Sequence, residues 1–370
     1  MHLLFTPGPL TTSPTVKEAM LADKGSRDGE FIAVVAAIRE RLLAVGGVSR
    51  EQGYETVLIP GSGTFGLEAV VSSVTAPDGK WLFVVNGAYG ERLVRMAERH
   101  GIPASVLRYA ENEVPAAADV DRELAANPGL THVAVVHCET TTGILNPVDE
   151  IGAVVRKHGR VYVLDSMSAF GGMPFDVAAA EVDFLISSAN KCIEGVPGFS
   201  FVISRRDRLL AAEGWARTLS LDLLAQWRAL EKNGQFPYTP PTHALLAFSR
   251  ALDELEEEGG VAGRAARYQA NHRVLVTGMR EIGFETFVPD EVQSAIITTF
   301  RYPEDEKFDF DRFYSGLSGR GFLIYPGKLT ATDCFRIGTI GRLGTAEVEA
   351  LLQAIRETLV ELEVRIPVAG

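Results

Sequence analysis

The sequence predicts an α/β fold in which a mostly parallel sheet carries helices on both faces. The main observation is a regular alternation of short apolar runs with helical patterns between residues 56 and 203. Such alternation is typical of βαβ units, and 370 residues suffice for one large and one smaller domain. The apolar fraction of 46% and the charged fraction of 23% indicate a globular protein with a sizeable core.

The first part of the chain opens with the turn-rich segment TPGPL, and Ser13 followed by Pro14 then indicates the start of a short helix. A second helix is predicted over residues 31–45, ending near Gly46. The predicted strands that follow are 56–59, 81–86, 104–107, 132–137, 161–164, 182–186 and 199–203, and the predicted helices between them are 64–74, 90–100, 119–126 and 148–157.

The pattern changes after Ser204, where helices become longer and the strands fewer. We predict helices over residues 219–231, 243–258, 264–282, 309–316 and 345–363, and strands over 295–301, 322–325 and 334–338. The expected organisation is therefore an extended N-terminal segment (1–15), a large α/β domain (16–250) and a small α+β C-terminal domain (251–370).

Composition excludes several classes of function. The net charge of -12 argues against a surface for nucleic acid or anionic membrane, because both require a positive face. The three cysteines form no CxxC pair, so neither a disulfide framework nor a metal site is expected, and a reducing cytoplasm fits best. The N-terminus lacks the basic region of a signal peptide, and no stretch is apolar enough to span a membrane.

The stretch GSGTFGLEA, residues 61–69, lies between a predicted strand and a predicted helix. Small residues let the backbone approach a ligand, and a helix start offers free N–H groups to an anion. Ser62 and Thr64 add hydroxyls on either side of Gly63. The stretch is not a Walker loop, and taken alone it is more often an ordinary helix cap.

Two further stretches follow predicted strands. NGAYGER places Tyr89 among small residues, where its ring could stack on a flat ligand or simply cover the sheet edge. HCETTTG places Thr140, Thr141 and Thr142 in a row, which offers hydroxyls at the same edge or caps the next helix.

Asp165 ends a strongly apolar predicted strand, and Lys191 follows the next predicted strand along the chain. A buried carboxylate needs a hydrogen-bonded or cationic partner, so Asp165 is either structural or faces a ligand cation such as a pyridinium nitrogen. Lys191 either points to solvent or is used covalently. Because the carboxyl ends of parallel strands meet at one edge, these groups together resemble the components of a pyridoxal phosphate site.

The sequence also resembles the fold-type I aminotransferases, in the class V branch with the alanine–glyoxylate and serine–pyruvate aminotransferases. The resemblance runs from about residue 3 to 360. It is carried by TPGPLTTS, VVNGAYG, HCETTTGILNP, DSMSAFGG, SSANKCIEGVPGF, SLDLLAQW and YPGKLTATDCFRIG, of which SANKCIEGVPGF is the most specific.

The resemblance implies a role for each matching position. Lys191 matches the Schiff-base lysine and Asp165 the acid that pairs with the pyridine nitrogen. Asn190 stands where many relatives have Gln or His. The resemblance implies further cofactor contacts. Ser62, Gly63 and Thr64 match the phosphate loop, and Tyr89 matches the stacking ring. Thr142 matches a threonine near the ring hydroxyl, and Thr239 matches a threonine that reaches the phosphate in the partner subunit.

The resemblance further implies a homodimer with shared active sites and a substrate clamp at Arg336. The implied reaction moves the amino group of 2-aminoethylphosphonate to pyruvate, giving phosphonoacetaldehyde and L-alanine. A phosphonate dianion needs more than one donor, and Arg27 is a candidate for the second, although a surface arginine is the plainer alternative.

Other functions remain possible, both among aminotransferases and among proteins with a different activity. An alanine–glyoxylate or serine–pyruvate aminotransferase would share the catalytic residues and differ only in the substrate pocket. A cysteine desulfurase needs a cysteine on a mobile loop, whereas Cys334 lies in a predicted strand and Cys192 adjoins Lys191. A catalytically idle relative should lack Lys191 or Asp165, and both are present.

Overall fold

The structure, a computed structural model, describes residues 2–368. In chain order the strands are β1 (Leu3–Leu4), β2 (Tyr54–Pro60), β3 (Trp81–Val85), β4 (Ala104–Arg108), β5 (His132–Val136), β6 (Cys138–Glu139), β7 (Ile144–Leu145), β8 (Val161–Asp165), β9 (Phe184–Ser188), β10 (Phe199–Arg205), β11 (Ile297–Arg301), β12 (Phe322–Leu323), β13 (Tyr325–Pro326) and β14 (Cys334–Gly338).

The helices are α1 (Pro14–Glu18), α2 (Gly29–Val45), α3 (Gly63–Ser73), α4 (Ala88–Arg99), α5 (Ala117–Ala126), α6 (Val148–Lys157), α7 (Arg206–Ala211), α8 (Leu223–Asn233), α9 (Thr242–Glu257), α10 (Gly260–Ile282), α11 (Phe310–Gly319) and α12 (Thr345–Glu361). Local chemistry explains several of their ends. Ser13 caps α1 by accepting the N–H of Val16, and α6 carries acidic residues in its first turn and basic residues in its last.

The central sheet has seven strands in the order β2-β10-β9-β8-β5-β3-β4. Neighbouring strands from β9 to β4 pair in parallel, and β10 is antiparallel to both β9 and β2. The predicted mostly parallel sheet is therefore confirmed.

Helices cover both faces of this sheet because the strand residues alternate between two apolar clusters. In β5, Val133 and Val135 belong to the cluster that includes α2, α5, α6 and α9 residues. Ala134 and Val136 belong to the cluster that includes α3, α4, α7 and α8 residues. Apolar side chains on both faces explain why these strands read as continuous hydrophobic runs.

The carboxyl ends of β2, β3, β5, β8 and β9 all lie at one edge, since these strands run in the same direction. The stretches singled out in the sequence follow these ends directly. Gly66 fixes how closely α3 approaches the sheet, because a Cβ there would lie 2.7 Å from the Ser200 hydroxyl.

The C-terminal part contains the antiparallel sheet β11-β14-β13 and a third apolar cluster that includes residues of α10, α11 and α12. The N-terminal segment joins this part, because β1 pairs in parallel with β12 and the N–H of Gly338 donates to the Phe5 carbonyl at 2.9 Å. The division at residues 15 and 250 stays a prediction.

One local expectation was wrong, and some elements were not predicted. Residues 322–325 do not form one strand, because β12 pairs with β1 whereas β13 pairs with β14. The helix α7, directly after β10, and the short hairpin β6–β7 were not predicted. In the part of the chain that the structure describes, no helix is long and apolar enough to cross a membrane.

Candidate active site

The start of α3 forms a backbone anion site. Ser62 is its N-cap residue with extended backbone, and its side chain makes no capping hydrogen bond. Within residues 2–368 the N–H groups of Gly63 and Thr64 also have no hydrogen-bond acceptor. A Cβ on Gly63 would lie 2.2 Å from the sulfur of Met167, so glycine lets the Met167 side chain pack directly against this turn.

Arg92, in α4, supplies a cation to this turn. Its Nη1 donates to the Thr64 hydroxyl at 3.2 Å, and its guanidinium carbon lies 4.8 Å from the centre of the Tyr89 ring. No described carboxylate oxygen lies within 4.0 Å of it. Arg92 was not predicted as a site residue, although it follows Tyr89 by three residues on one helix, a spacing that places both side chains on one face.

Asp165 ends β8 and is buried. Its Oδ1 accepts the N–H of Met167 at 3.0 Å, and its other oxygen has no hydrogen-bond donor among the described residues. Burial raises the pKa of Asp165 to about 6, and the neighbouring Glu139 acts in the same direction. The charges of Arg92 and Lys191 act in the opposite direction and lower that pKa.

Lys191 lies three residues after β9, beneath the N-terminal turn of the chain. Its Nζ donates to the carbonyl of Pro7 at 2.7 Å. Gly8 has a φ of +120°, and a Cβ there would lie 2.7 Å from the lysine nitrogen. Burial lowers the pKa of Lys191 below its ordinary value of 10.5, which favours a neutral and nucleophilic amine.

The loop that carries Lys191 is fixed by a buried ionic cluster. Glu194 has a φ of 66°, and its Oε1 accepts from Arg267 at 2.7 Å and from the Tyr268 hydroxyl at 2.6 Å. Arg264 donates to the Cys192 carbonyl. Because Arg264, Arg267 and Tyr268 all belong to α10, this cluster attaches the Lys191 loop to the first helix of the C-terminal part.

Tyr89 is the point at which cations from several elements converge. Nζ of Lys328 lies 3.3 Å from the Tyr89 hydroxyl and 4.8 Å from its ring centre. Burial favours a higher pKa for Tyr89, but the Thr140 hydroxyl and the charges of Lys328, Lys191 and Arg336 outweigh it and lower that pKa to about 8.

Arg336 lies in β14 with 1% of its surface exposed. Its Nε donates to the Pro326 carbonyl at 3.0 Å and its Nη1 to the Thr140 carbonyl at 2.7 Å. Both acceptors are neutral, Nη2 has no acceptor, and no carboxylate oxygen lies within 4.0 Å in residues 2–368. A buried guanidinium without a counter-charge is costly unless an anionic ligand binds it.

Most of the predicted site residues therefore lie around the carboxyl ends of β2, β3, β5, β8 and β9, where Arg336 joins them through Thr140; we call this region the cleft. Asn190 lies beside Lys191, and its side-chain oxygen accepts from Ser188 at 3.1 Å. Thr142 is fully buried, and its hydroxyl bonds within its own turn. The Thr140 hydroxyl acts to lower the pKa of Tyr89, and the Thr140 carbonyl accepts from Arg336. The role of Thr142 stays a prediction.

Arg27 and Thr239 are not brought into this cleft within one chain. Both line a separate surface pocket of about 380 Å³, together with Ser26 and residues 235–238 and 240. Thr239 is exposed. The two predicted residues thus lie together in a pocket whose lining includes none of Lys191, Asp165 and Arg336.

Comparison with known sequences gives the same family over most of the chain. The Aminotransferase class-V family model matches residues 22–318. The chain is 52% identical to proteins named 2-aminoethylphosphonate–pyruvate transaminase from Salmonella schwarzengrund (strain CVM19633) and Salmonella typhimurium (strain LT2). Each alignment covers 97% of this chain and 98% of the relative.

Comparison with solved structures gives the same fold. An alanine–glyoxylate aminotransferase from Nostoc sp. superposes with a TM-score of 0.88 at 26% identity, covering 97% of this chain and 95% of the other. An aspartate aminotransferase from Thermus thermophilus gives 0.86 at 26% identity, covering 97% and 99%. The fold-type I resemblance is thereby confirmed, and the chain belongs to the class-V aminotransferase family.

Proposed function

We propose that the chain is a pyridoxal phosphate-dependent transaminase that moves the amino group of 2-aminoethylphosphonate to pyruvate, giving phosphonoacetaldehyde and L-alanine. The observation that carries this proposal is the buried Arg336 guanidinium, which has only neutral acceptors and lies in a cleft with Lys191 and Asp165. The name shared by relatives that are 52% identical over 97% of the chain supports the same substrates.

Pyridoxal phosphate fits the residues of the cleft. Asp165 is a buried carboxylate whose second oxygen lacks a donor, as a partner for a protonated ring nitrogen requires. The N–H groups of Gly63 and Thr64, with Arg92 beside them, suit a phosphate group. When bound, the cofactor supplies an aldehyde that bonds amines and a ring that withdraws electrons.

Lys191 serves two purposes in this proposal. It would hold the cofactor covalently through its Nζ, whose lowered pKa favours the neutral amine. Once the substrate amine has taken its place, Nζ is free to carry the proton from the carbon next to the amino group. The Pro7 carbonyl, 2.7 Å away, gives the released amine an acceptor that keeps it in the cleft.

Arg336 would bind the acidic group of each substrate in turn. A guanidinium offers two parallel N–H donors, a geometry that suits both carboxylate and phosphonate oxygens. Because Nε and Nη1 are already held by two carbonyls, the side chain is oriented before substrate arrives, which reduces the entropy lost on binding.

We also propose a homodimer in which Arg27 and Thr239 complete the partner subunit's site. Their common pocket is separate from Lys191 within one chain, and Thr239 is exposed, as a residue that contacts a partner would be in a single chain. A cytoplasmic location is proposed as well, since all three cysteines are free thiols, as is usual in reducing compartments.

Donor competition tests the proposed substrate. Cofactor-loaded protein is supplied with 2-aminoethylphosphonate, L-serine or L-alanine as amino donor and with pyruvate or glyoxylate as acceptor. We measure kcat/KM for each pair except L-alanine with pyruvate, whose products are identical to its substrates. We expect the pair of 2-aminoethylphosphonate with pyruvate to be preferred. A preference for L-alanine with glyoxylate, or for L-serine with pyruvate, would assign the chain to the alternative activities of the same family.

A further inference from the structure

Lys328 is a cation near the proposed active site that has no role in the proposed reaction. It lies in the loop between β13 and β14, is exposed, and its ammonium contacts the ring and hydroxyl of Tyr89. Within residues 2–368 no carboxylate oxygen lies within 4.0 Å of it. The acid that contacts this loop, Glu111, instead accepts hydrogen bonds from the backbone and hydroxyl of Thr330.

Lys328 and Arg336 are attached to the same hairpin. Arg336 donates to the carbonyl of Pro326, and Lys328 follows that residue by two positions. Gly327 fixes the base of the loop, because its N–H donates to the Cys334 carbonyl and a Cβ there would lie 2.2 Å from the Cys334 sulfur. The two cations therefore reach the neighbourhood of Tyr89 from one rigid support.

Arg92 and Lys191, two other cations near Tyr89, have other proposed roles. Arg92 is held on Thr64 at the proposed phosphate site, and Lys191 would hold the cofactor.

A phosphonate group carries up to two negative charges, whereas the carboxylate of an amino acid carries one. The Arg336 guanidinium balances the charge of a carboxylate but only half that of a phosphonate dianion. A second cation is therefore needed, and the candidates are Lys328 of the same chain and the Arg27 that the partner subunit is proposed to supply.

We propose that Lys328 is a specificity-determining residue that binds the phosphonate of the substrate together with Arg336. This inference rests on the proposed function. The ammonium leaves the ring of Tyr89 when substrate binds, and its exposed, flexible side chain permits that movement. The lowered pKa of Tyr89 supports the placement, because Lys328 and Arg336 both act on its hydroxyl.

The test compares phosphonate and carboxylate ligands of the same cofactor-loaded protein. Wild type, Lys328→Met and Lys328→Arg are each reacted with 2-aminoethylphosphonate and with L-alanine, and the dependence of the rate on donor concentration is measured. Inhibition constants are also measured for ethylphosphonate and propanoate, which differ only in the acidic group. Lys232→Met, at another exposed lysine outside the cleft, is the control.

We expect Lys328→Met to weaken binding of 2-aminoethylphosphonate and ethylphosphonate about tenfold, as loss of one charge-assisted hydrogen bond predicts. Binding of L-alanine and propanoate should change much less, Lys328→Arg should retain phosphonate binding, and Lys232→Met should behave as wild type. An unchanged preference for phosphonate over carboxylate in Lys328→Met would overturn the inference. A wild type that does not react with 2-aminoethylphosphonate would instead contradict the proposed function.

Discussion

Asp165 is a carboxyl group that the fold buries with one N–H donor and no described cation within 4.0 Å. Without cofactor this arrangement is unfavourable for its charged form, since burial and Glu139 raise its pKa from 3.8 to about 6 against the weaker influence of Arg92, Lys191 and the Met167 N–H. The resulting loss in the free energy of unfolding begins as pH rises through 3.8 and reaches its full value above about 6. It is absent in more acidic solution, where Asp165 is protonated in both states.

We therefore expect Asp165→Asn to stabilise the cofactor-free protein at pH 7, by about 1–3 kcal/mol. The amide oxygen can still accept the N–H of Met167, but no charge is buried. The measurement is the free energy of unfolding of both proteins at pH 7 and near pH 4, where the difference should shrink because Asp165 is then protonated in the folded protein and about half protonated in the unfolded protein.

Bound cofactor should reverse the order of stability of wild type and Asp165→Asn. Asp165 gains a partner when the ring nitrogen is present, so pyridoxal phosphate should stabilise wild type more than Asp165→Asn. Equal or lower stability of cofactor-free Asp165→Asn at pH 7 would show that the carboxylate already has a favourable partner in the fold.

At the scale of secondary-structure elements, the sheet and its helices could largely be predicted from periodicity. The predicted boundaries of α6 and β14 agree with the structure, and most others differ by one to four residues. Such prediction works because most strands of the central sheet are apolar, and amphipathic helices α4, α5 and α6 separate the strands from β3 to β8. The prediction fails at residues 322–325. There the first two residues pair with β1 and Tyr325 pairs with β14, and this pairing depends on the tertiary structure.

The candidate site was predictable where its residues directly follow strands that share one edge. That geometry brings Gly63, Asp165 and Lys191 together once the strands are parallel. The contributions of Lys328, Pro7 and the Glu194 cluster could not be predicted, since they join segments 73 to 239 residues apart. Thr140 and Thr142 were indistinguishable in sequence because only the turn geometry decides which of them is near Tyr89.

At the scale of the whole molecule, the proposal requires two chains for each complete site. Lys191 and Asp165 belong to one chain's cleft, whereas Arg27 and Thr239 lie in a separate pocket of that chain. Twofold symmetry is the commonest symmetry of protein oligomers. In such a dimer the Arg27–Thr239 pocket of each chain would lie at the cleft of the other chain.

Mixing two inactive variants tests this sharing. Lys191→Ala lacks the amine, and Thr239→Glu places a negative charge where a phosphate would bind; we expect each alone to be inactive. If chains re-associate at random from an equal mixture, about a quarter of all sites are intact, so activity should return to about that fraction of wild type.

The matched control mixes Lys191→Ala with Asp165→Ala, since the structure joins both residues in one chain. No mixed dimer of that pair has an intact site, so no activity should return. Recovery in the control, or its absence with Thr239→Glu despite proven exchange of chains, would contradict shared sites.

The most direct measurement of the central claim follows the transferred nitrogen itself. Cofactor-loaded protein is incubated with ¹⁵N-labelled 2-aminoethylphosphonate and unlabelled pyruvate, and the products are identified by mass spectrometry, with Lys191→Ala as the blank. We expect ¹⁵N-labelled L-alanine and an equal amount of phosphonoacetaldehyde with wild type only. Absence of labelled L-alanine from cofactor-loaded wild type would contradict the proposed function.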